Sequence, residues 1–310
     1  MIIKNININS EINQDPLCLA IGNFDGLHKG HQFIINKVVK ESKELNLVPA
    51  VLSFKPHPRI FFNTVSENFN IITETHKEEL LESLGVKIFF KLKFNQSVSS
   101  VLPYDFVKNF LIKKLNLRSL LIGQNFKFGK DREGDVNLLK KINLNEEFKL
   151  NIINFVKTEH SNVIFSSSII REKIKQGKVE DVTNLLGRPW IIKGIVQEGD
   201  RRASQMNFPT ANLLSPDTIH PKKGVYCVRV IFKNRNFHGI ANFGRRPTFG
   251  GEKVLLEVNI FGFDSEIYGK ELTIEFLAFI REEIKFDSFD KLKKQVNKDV
   301  HTAKSYFIKN

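Results

Sequence analysis

The chain of 310 residues has only two cysteines, Cys18 and Cys227, too few for a disulfide framework or a cysteine-based zinc site. Each lies in an apolar run typical of a strand, so we expect two buried free thiols. No apolar run approaches the ~20 residues that span a membrane. The N-terminus also lacks the basic start and apolar stretch of a signal peptide. These absences predict a cytoplasmic protein with no membrane partner.

Acidic residues are fewer than basic ones, 34 against 47, which gives a formal net charge of +13. A basic balance suits nucleic acid, a membrane surface or phosphorylated small molecules. The excess is spread through the chain and is not gathered in one tail or one helix. We therefore interpret it as a compositional bias toward lysine and expect no nucleic-acid partner.

The hydrophobic pattern divides the chain into two domains of different class. In residues 1–185, short apolar strands alternate with amphipathic helices, which predicts a doubly wound parallel sheet. The predicted strands are 17–22, 48–54, 86–94, 118–123 and 148–156, and the helices are 30–45, 73–84, 103–115 and 135–144. Residues 186–310 predict a small antiparallel β-barrel with strands 190–197, 224–232, 237–242, 254–261 and 271–280. One or two helices, from about 288 to 307, close the chain, so the fold class is α/β followed by β.

The first chemical motif is Gly22-Asn23-Phe24-Asp25-Gly26-Leu27-His28-Lys29-Gly30-His31, between the first strand and the first helix. His28 and His31 are one helical turn apart and share a face at a helix N-terminus. Imidazoles and free backbone N–H groups at that position can donate hydrogen bonds to phosphate. Metal binding by the two histidines is the alternative, although no third ligand stands at a useful spacing.

Three further segments of the first half carry polar groups at strand ends or helix starts. Pro56-His57-Pro58 ends the second strand in a rigid loop, where His57 is either a ligand contact or a turn residue. Asn125 follows the fourth strand and is either a nucleotide contact or a plain turn residue. Ser166-Ser167-Ser168 opens a helix that contains Arg171, which predicts a second anion site, or ordinary N-capping for one serine.

Two features of the second half suggest metal and proton chemistry. Phe208-Pro209-Thr210-Ala211-Asn212 places a hydroxyl and an amide two residues apart, on one face if the segment is extended. Neutral oxygen ligands suit Mg²⁺, and a turn or edge strand is the alternative. Glu257 lies in an otherwise apolar strand, where it is either solvated or, if partly buried, suited to act as a general base.

From about Ala20 to its end, the sequence resembles the bacterial bifunctional riboflavin kinase/FMN adenylyltransferase family. The resemblance implies that 1–185 is a nucleotidyltransferase domain, which makes FAD from FMN and ATP. It implies that 186–310 is a kinase barrel, which makes FMN from riboflavin with ATP and Mg²⁺. The expected partners are these small molecules, and the expected state is a monomer or weak homo-oligomer. The resemblance rests on His28-Lys29-Gly30-His31, Phe54-Lys55-Pro56-His57-Pro58, Ile122-Gly123-Gln124-Asn125-Phe126-Lys127-Phe128-Gly129, Ser166-Ser167-Ser168-Ile169-Ile170-Arg171 and Phe208-Pro209-Thr210-Ala211-Asn212.

The resemblance also implies roles for individual residues. His28 and His31 are catalytic in the first domain, and Glu257 is the base of the kinase. Pro56, His57 and Pro58 lie beside the flavin or nucleotide. The kinase binds ATP through Pro209, Thr210 and Asn212, of which Thr210 and Asn212 hold the metal. ATP contacts in the first domain are assigned to Gly22, Phe24, Asp25, Gly26, His28, His31, Asn125, Ser166, Ser167, Ser168 and Arg171.

The chain departs from the family pattern at three positions: Ile169 replaces a usual Arg, and Ala203 and Asn207 replace usual glycines.

Two other functions remain open from the sequence. One is a pantetheine-phosphate or cytidylyl transferase that carries an unrelated barrel. The other is a basic nucleotide- or RNA-binding protein whose kinase half has decayed.

Overall fold

The computed structural model describes residues 1–66, 68–145, 147–154, 164–198, 210–214, 218–248 and 251–309. The chain forms two compact units, Met1–Phe69 with Thr73–Ser167, and Asn70–Ile72 with Ser168–Asn310. The domain boundary at 185/186 stays a prediction. Within the described ranges, every helix is too short or too polar to span a bilayer.

The first unit is built on a six-stranded parallel sheet of order β1-β4-β3-β2-β5-β6, which confirms the predicted class. All five residues of β2 are buried, as expected for a central strand covered on both faces. The edge strand β1 was absent from the predicted set. The strands are β1 Ile2–Ile6, β2 Leu17–Ile21, β3 Val48–Lys55, β4 Ile88–Lys93, β5 Leu117–Gly123 and β6 Lys149–Ile153.

Helices cover this sheet on both faces. Helix α1 packs on β2, β3 and β5, and a π-helix, Phe106–Lys114, contributes Phe106 and Phe110 to the apolar core on the sheet. The helix predicted over 103–115 is present: α5 begins at Pro103 as expected and continues as the π-helix to Lys114. The helices are α1 Lys29–Glu44, α2 Pro58–Phe61, α3 Glu74–Ser83, α4 Gln96–Ser99, α5 Pro103–Asp105 and α6 Val136–Ile142.

The second unit is a closed antiparallel barrel of order β10-β11-β8-β7-β12-β9. It has six strands where five were predicted, because the short β8 joins β11 to β7. Trp190, Tyr226, Phe243 and Phe276 are at most 2% exposed. The strands are β7 Trp190–Gln197, β8 Ala211–Leu214, β9 Gly224–Phe232, β10 Arg235–Thr248, β11 Gly251–Ile260 and β12 Glu271–Glu282.

In the described residues, the second unit contains the helices α8 Val179–Leu186 and α9 Phe289–Lys309. It also contains α7 Ser167–Lys175, except for Ser167 itself, which belongs to the first unit. Helix α8 packs on β7 and β12. The C-terminal helix α9 packs on an apolar patch that includes Val225 and Ile240. Arg281 of β12 donates from Nη2 to Oδ2 of the buried Asp299 of α9 at 2.7 Å, which fixes the helix on the strand.

Both thiols are buried on strands, as predicted: Cys18 in β2 and Cys227 in β9. Burial raises the pKa of each thiol to about 12. Neither sulfur is therefore a nucleophile at neutral pH.

The segment Asn70–Ile72 lies between β3 and β4 in sequence but packs with the second unit. The Trp190 indole Nε1–H donates to the Ile71 carbonyl at 2.8 Å, and the Ile219 N–H donates to the Asn70 carbonyl at 2.8 Å. Ile71 and Ile72 are almost completely buried. The second unit is thus made from two separate stretches of chain.

Candidate active sites

The first site lies where the strand order of the parallel sheet reverses, between β2 and β5. Ala20 pairs with Leu121, so Gly22 and Gly123 follow side by side at the carboxyl ends of the two strands, ~5 Å apart. Open parallel sheets bind ligands in the crevice at such a switch point. The glycines add no side chains of their own and leave room for those of Phe24 and Asn125.

Each floor glycine is covered by a side chain two residues further along the chain. A Cβ at Gly22 would lie 3.2 Å from Cζ of Phe24, and a Cβ at Gly123 would lie 3.2 Å from Oδ1 of Asn125. The Asn125 amide therefore folds back over Gly123, and its contact with a nucleotide stays a prediction.

The turn from Gly22 to His28 is fixed by hydrogen bonds from other elements. Ser53 Oγ–H donates to the Asn23 carbonyl at 3.2 Å, and Ser167 Oγ–H donates to the Asp25 carbonyl at 2.8 Å. Phe24 and Gly26 have φ of 48° and 82°, and the side chains of Phe24 and Asp25 are buried. The buried Asp25 thus shapes the turn and is not displayed on a solvent face.

His28 is the N-cap of α1, and its Nδ1 accepts the His31 N–H at 3.2 Å. The two rings stack with centroids 3.6 Å apart and planes 18° apart. A Cβ at Gly30 would lie 3.2 Å from His28 Nδ1, so glycine leaves room for the ring. Since Nδ1 is an acceptor, the neutral His28 carries its proton on Nε2, which is a donor at the start of a 16-residue helix.

The Pro56-His57-Pro58 loop lies at the carboxyl end of β3, the same edge as His28. His57 Nδ1 accepts the Arg59 N–H at 3.1 Å, and its ring meets Phe69 edge-on at 5.1 Å. His57 is thus the N-cap of α2, which is the turn role left open by the sequence.

Beside this loop is an aromatic cluster, Phe54, Phe61, Phe62 and Phe94, that sequence reasoning missed. Neighbouring ring centroids are 5.1 to 5.8 Å apart, and Phe62 is 55% exposed. The adjacent Phe61 and Phe62 after Pro58 are the signal that could have indicated it. The rings meet edge to face, at interplanar angles of 75° to 86°, and Phe62 exposes an apolar face at the sheet edge.

Helix α7 begins at Ser167, so the serine triplet spans a helix start as predicted. Ser166 and Ser167 belong to the first unit, whereas Ser168 and Arg171 belong to the second. Arg171 is 8% exposed. The contact of these residues with ATP stays a prediction.

In the barrel, register brings Asn212 and Glu257 together. Glu257 of β11 pairs with Asn212 of β8 on one side and Asn242 of β10 on the other. Paired residues of antiparallel strands project to the same face, with Cβ atoms ~5 Å apart. Leu256 and Val258, which flank Glu257, are fully buried in the opposite direction. Glu257 itself is half-buried and sits between two amides.

Thr210 directly precedes β8 and is half-buried. Pro209, Ala203 and Asn207 lie outside the described residues. Sequence reasoning did not single out Asn242, although alternation with the apolar Ala241 and Phe243 marks it as an outward-facing polar residue.

Two family models match this chain, one for each half. The FAD synthetase model matches residues 10–168 and the riboflavin kinase model matches residues 186–307.

Full-length relatives carry both halves. Proteins named bifunctional riboflavin kinase/FMN adenylyltransferase include one from Haemophilus influenzae, 38% identical over 93% of this chain and 94% of the relative. Another, from Buchnera aphidicola subsp. Schizaphis graminum, is 36% identical over 98% of this chain and 96% of the relative.

A crystal structure described as a macrolide-efflux protein from Streptococcus pneumoniae has a TM-score of 0.88 to this chain. It is 30% identical and covers 98% of this chain and 99% of that one. Its description concerns that protein and agrees with neither family model. Both models and the full-length relatives agree with one another. This chain therefore belongs to the bifunctional riboflavin kinase/FMN adenylyltransferase family.

Proposed function

We propose that this chain makes FAD from riboflavin in two steps at two separate sites. The barrel transfers the γ-phosphate of ATP to riboflavin and yields FMN. The parallel-sheet unit then transfers AMP from a second ATP to FMN, yielding FAD and pyrophosphate. The observation that supports this most is the His28–His31 stack at the start of α1, beside the Gly22–Gly123 crevice.

In adenylyl transfer, a phosphate oxygen of FMN attacks the α-phosphorus of ATP and pyrophosphate leaves. No covalent enzyme intermediate is needed, so the protein acts by positioning and by stabilising charge. We assign the Nε2–H of His28, the His31 ring and the first N–H groups of α1 to the phosphate oxygens on which charge develops. The turn from Gly22 to Gly26, with Phe24 and Asp25 in it, contacts the nucleotide, and Gly26 supplies its left-handed backbone.

We assign the remaining contacts of the first site to the residues that the family resemblance implies. Asn125, over Gly123, faces the nucleotide, and Ser166, Ser167, Ser168 and Arg171 bind the outer phosphates. The flavin ring stacks on the exposed Phe62 of the aromatic cluster, next to Pro56 and Pro58, since offset stacking of aromatic faces is favourable.

In the kinase, Glu257 takes the proton of the ribityl hydroxyl as the oxygen attacks the γ-phosphorus. Its half-buried position, paired with Asn212 and Asn242 on the neighbouring strands, supports this role. The oxygen donors at Thr210 and Asn212 are the kind that Mg²⁺ prefers, so these residues, with Pro209 beside them, would hold Mg–ATP. When bound, the metal neutralises phosphate charge.

The same proposal includes a cytoplasmic location, a monomer or weak homo-oligomer and no nucleic-acid partner. The test of function is a single assay: purified protein is incubated with riboflavin, ATP and Mg²⁺, and the flavins are separated by chromatography. FMN appears first and FAD follows. A protein that is folded by circular dichroism and makes neither flavin nucleotide contradicts the proposal.

A further inference from the structure

A tight turn after β5, Lys130–Arg132, holds two consecutive non-glycine residues in the left-handed region. Asp131 has φ of 52° and Arg132 has φ of 60°. Left-handed backbone is unfavourable for any residue with a Cβ, and bulky residues seldom adopt it. Residues held in such conformations cluster at functional sites, which makes this turn worth an explanation.

Contacts on both sides prevent the turn from relaxing. Phe128 and Gly134 exchange two backbone hydrogen bonds, at 3.0 and 2.9 Å, which close the loop at its base. The Lys130 N–H donates to the Val101 carbonyl at 2.7 Å. A Cβ at Gly129 would lie 2.7 Å from Cγ of Pro103, so the chain is packed tightly there as well.

The turn carries two cationic side chains that form no ion pair within the described residues. The side chains of Lys130 and Arg132 are exposed, and neither has an ion pair or hydrogen bond among the described residues. The nearby Lys127, by contrast, pairs with Asp135 at 3.3 Å. A rigid backbone therefore carries two free charges.

The turn lies at the ligand-binding edge of the sheet. The loop leaves β5 at Gly123, beside Gly22. Its hydrogen bond to the Val101 carbonyl holds it to the segment between β4 and α5. The turn thus follows β5 at the edge where parallel sheets bind ligands.

We infer that Lys130 and Arg132 bind the phosphate of the acceptor flavin. This inference rests on the proposed adenylyltransferase activity of the same site. The planar guanidinium of Arg132 suits a bidentate contact to a phosphate, and Lys130 adds a point charge. Phosphate on ATP already has the His28–His31 site and the α1 start, whereas the FMN phosphate has no other cation assigned. The two cations give the site its preference for FMN over riboflavin.

The test measures steady-state FAD synthesis from FMN and ATP for the full chain. Arg132→Ala and Lys130→Ala are expected to raise the KM for FMN by about 10-fold each, with the KM for ATP unchanged within twofold. Riboflavin phosphorylation, measured in the same samples, stays at the wild-type rate. The matched control is Arg118→Ala, an exposed arginine at the amino end of the same strand, which leaves both KM values unchanged.

A second variant separates binding from structure. Arg132→Gly removes the left-handed penalty, so its unfolding midpoint is at or above that of wild type, while its KM for FMN rises as in Arg132→Ala. Arg132→Lys retains part of the affinity because the charge remains.

Each possible result decides the matter. If the wild-type chain makes no FAD from FMN, the proposed adenylyltransferase activity itself fails. If wild type makes FAD but Arg132→Ala keeps the wild-type KM for FMN, the inference about the turn is wrong. A rise in the KM for ATP alone assigns the turn to ATP phosphates and also overturns it.

Discussion

Replacing His28 tests whether two roles can be separated, since it caps α1 and, in the proposed mechanism, donates its Nε2–H to phosphate. Asparagine is among the best N-caps, so His28→Asn keeps the acceptor for the His31 N–H. His28→Ala loses it. The loss of the cap costs about 1 kcal/mol, which lowers the melting temperature by roughly 2–4 °C for a unit of this size.

The catalytic effect is larger and should be shared by both variants. Losing one preorganised donor to a developing phosphate charge costs on the order of 2–4 kcal/mol, or about 30- to 1000-fold in rate. We expect His28→Asn to be nearly as stable as wild type and to make FAD at most ~3% as fast. His28→Ala should be equally slow and less stable.

The assay follows FMN conversion to FAD by chromatography, with unfolding followed by circular dichroism. Riboflavin phosphorylation by the same sample is the internal control, because Glu257 and Asn212 lie in the other unit. A His28→Asn protein that makes FAD within threefold of the wild-type rate would refute the assignment. Equal destabilisation by Asn and Ala would refute the capping argument.

Three more outcomes are expected. Glu257→Gln lowers riboflavin phosphorylation by about 10²–10⁴-fold but leaves FAD synthesis from added FMN intact. The control is Glu271→Gln, which changes an exposed carboxylate on β12. A Glu257→Gln protein that phosphorylates riboflavin within a few-fold of the wild-type rate contradicts the base assignment. Trp190→Phe deprives the buried Ile71 carbonyl of its 2.8 Å donor and costs about 1–3 kcal/mol in guanidinium unfolding; an unchanged midpoint would show that the bond is dispensable. Fragments 186–310 and 168–310 both phosphorylate riboflavin without making FAD. The longer fragment has the higher melting temperature because it keeps α8 packed on β7 and β12. Equal melting temperatures of the two fragments would contradict that packing argument.

The sequence predicted elements best where the pattern was local and strong. The five apolar residues of β2 and the helix from His28 onward required only period and capping to recognise. The short β8 escaped prediction because Ala211-Asn212 carries no strand pattern of its own, and pairing with β11 and β7 defines it. The helix over 103–115 was predicted but its π-helical hydrogen bonding was not, since that depends on how Phe106 and Phe110 pack.

In the candidate sites, too, the residues set by a local sequence pattern could be predicted and those set by tertiary contacts could not. His28, His31 and Asn125 could be placed at strand ends from the sequence, because parallel strands share one carboxyl edge. The aromatic cluster joins Phe54 and Phe94 from different strands with Phe61 and Phe62 from a loop, and such contacts are not written in any local pattern. The left-handed turn at Asp131 and Arg132 was hidden because arginine seldom adopts that conformation, although aspartate does so more readily.

The placement of Asn70–Ile72 has a consequence for how the chain is made. Trp190, which donates a hydrogen bond to the Ile71 carbonyl, is synthesised 119 residues after Ile71. At ~5–20 residues per second, this amounts to about 6–24 s during which the hydrophobic segment has no barrel to pack against. The first unit can thus fold early, but it carries two exposed isoleucines until translation of the second is complete. A nascent chain halted before Trp190 should therefore bind a chaperone at this segment, and a chain released at full length should not.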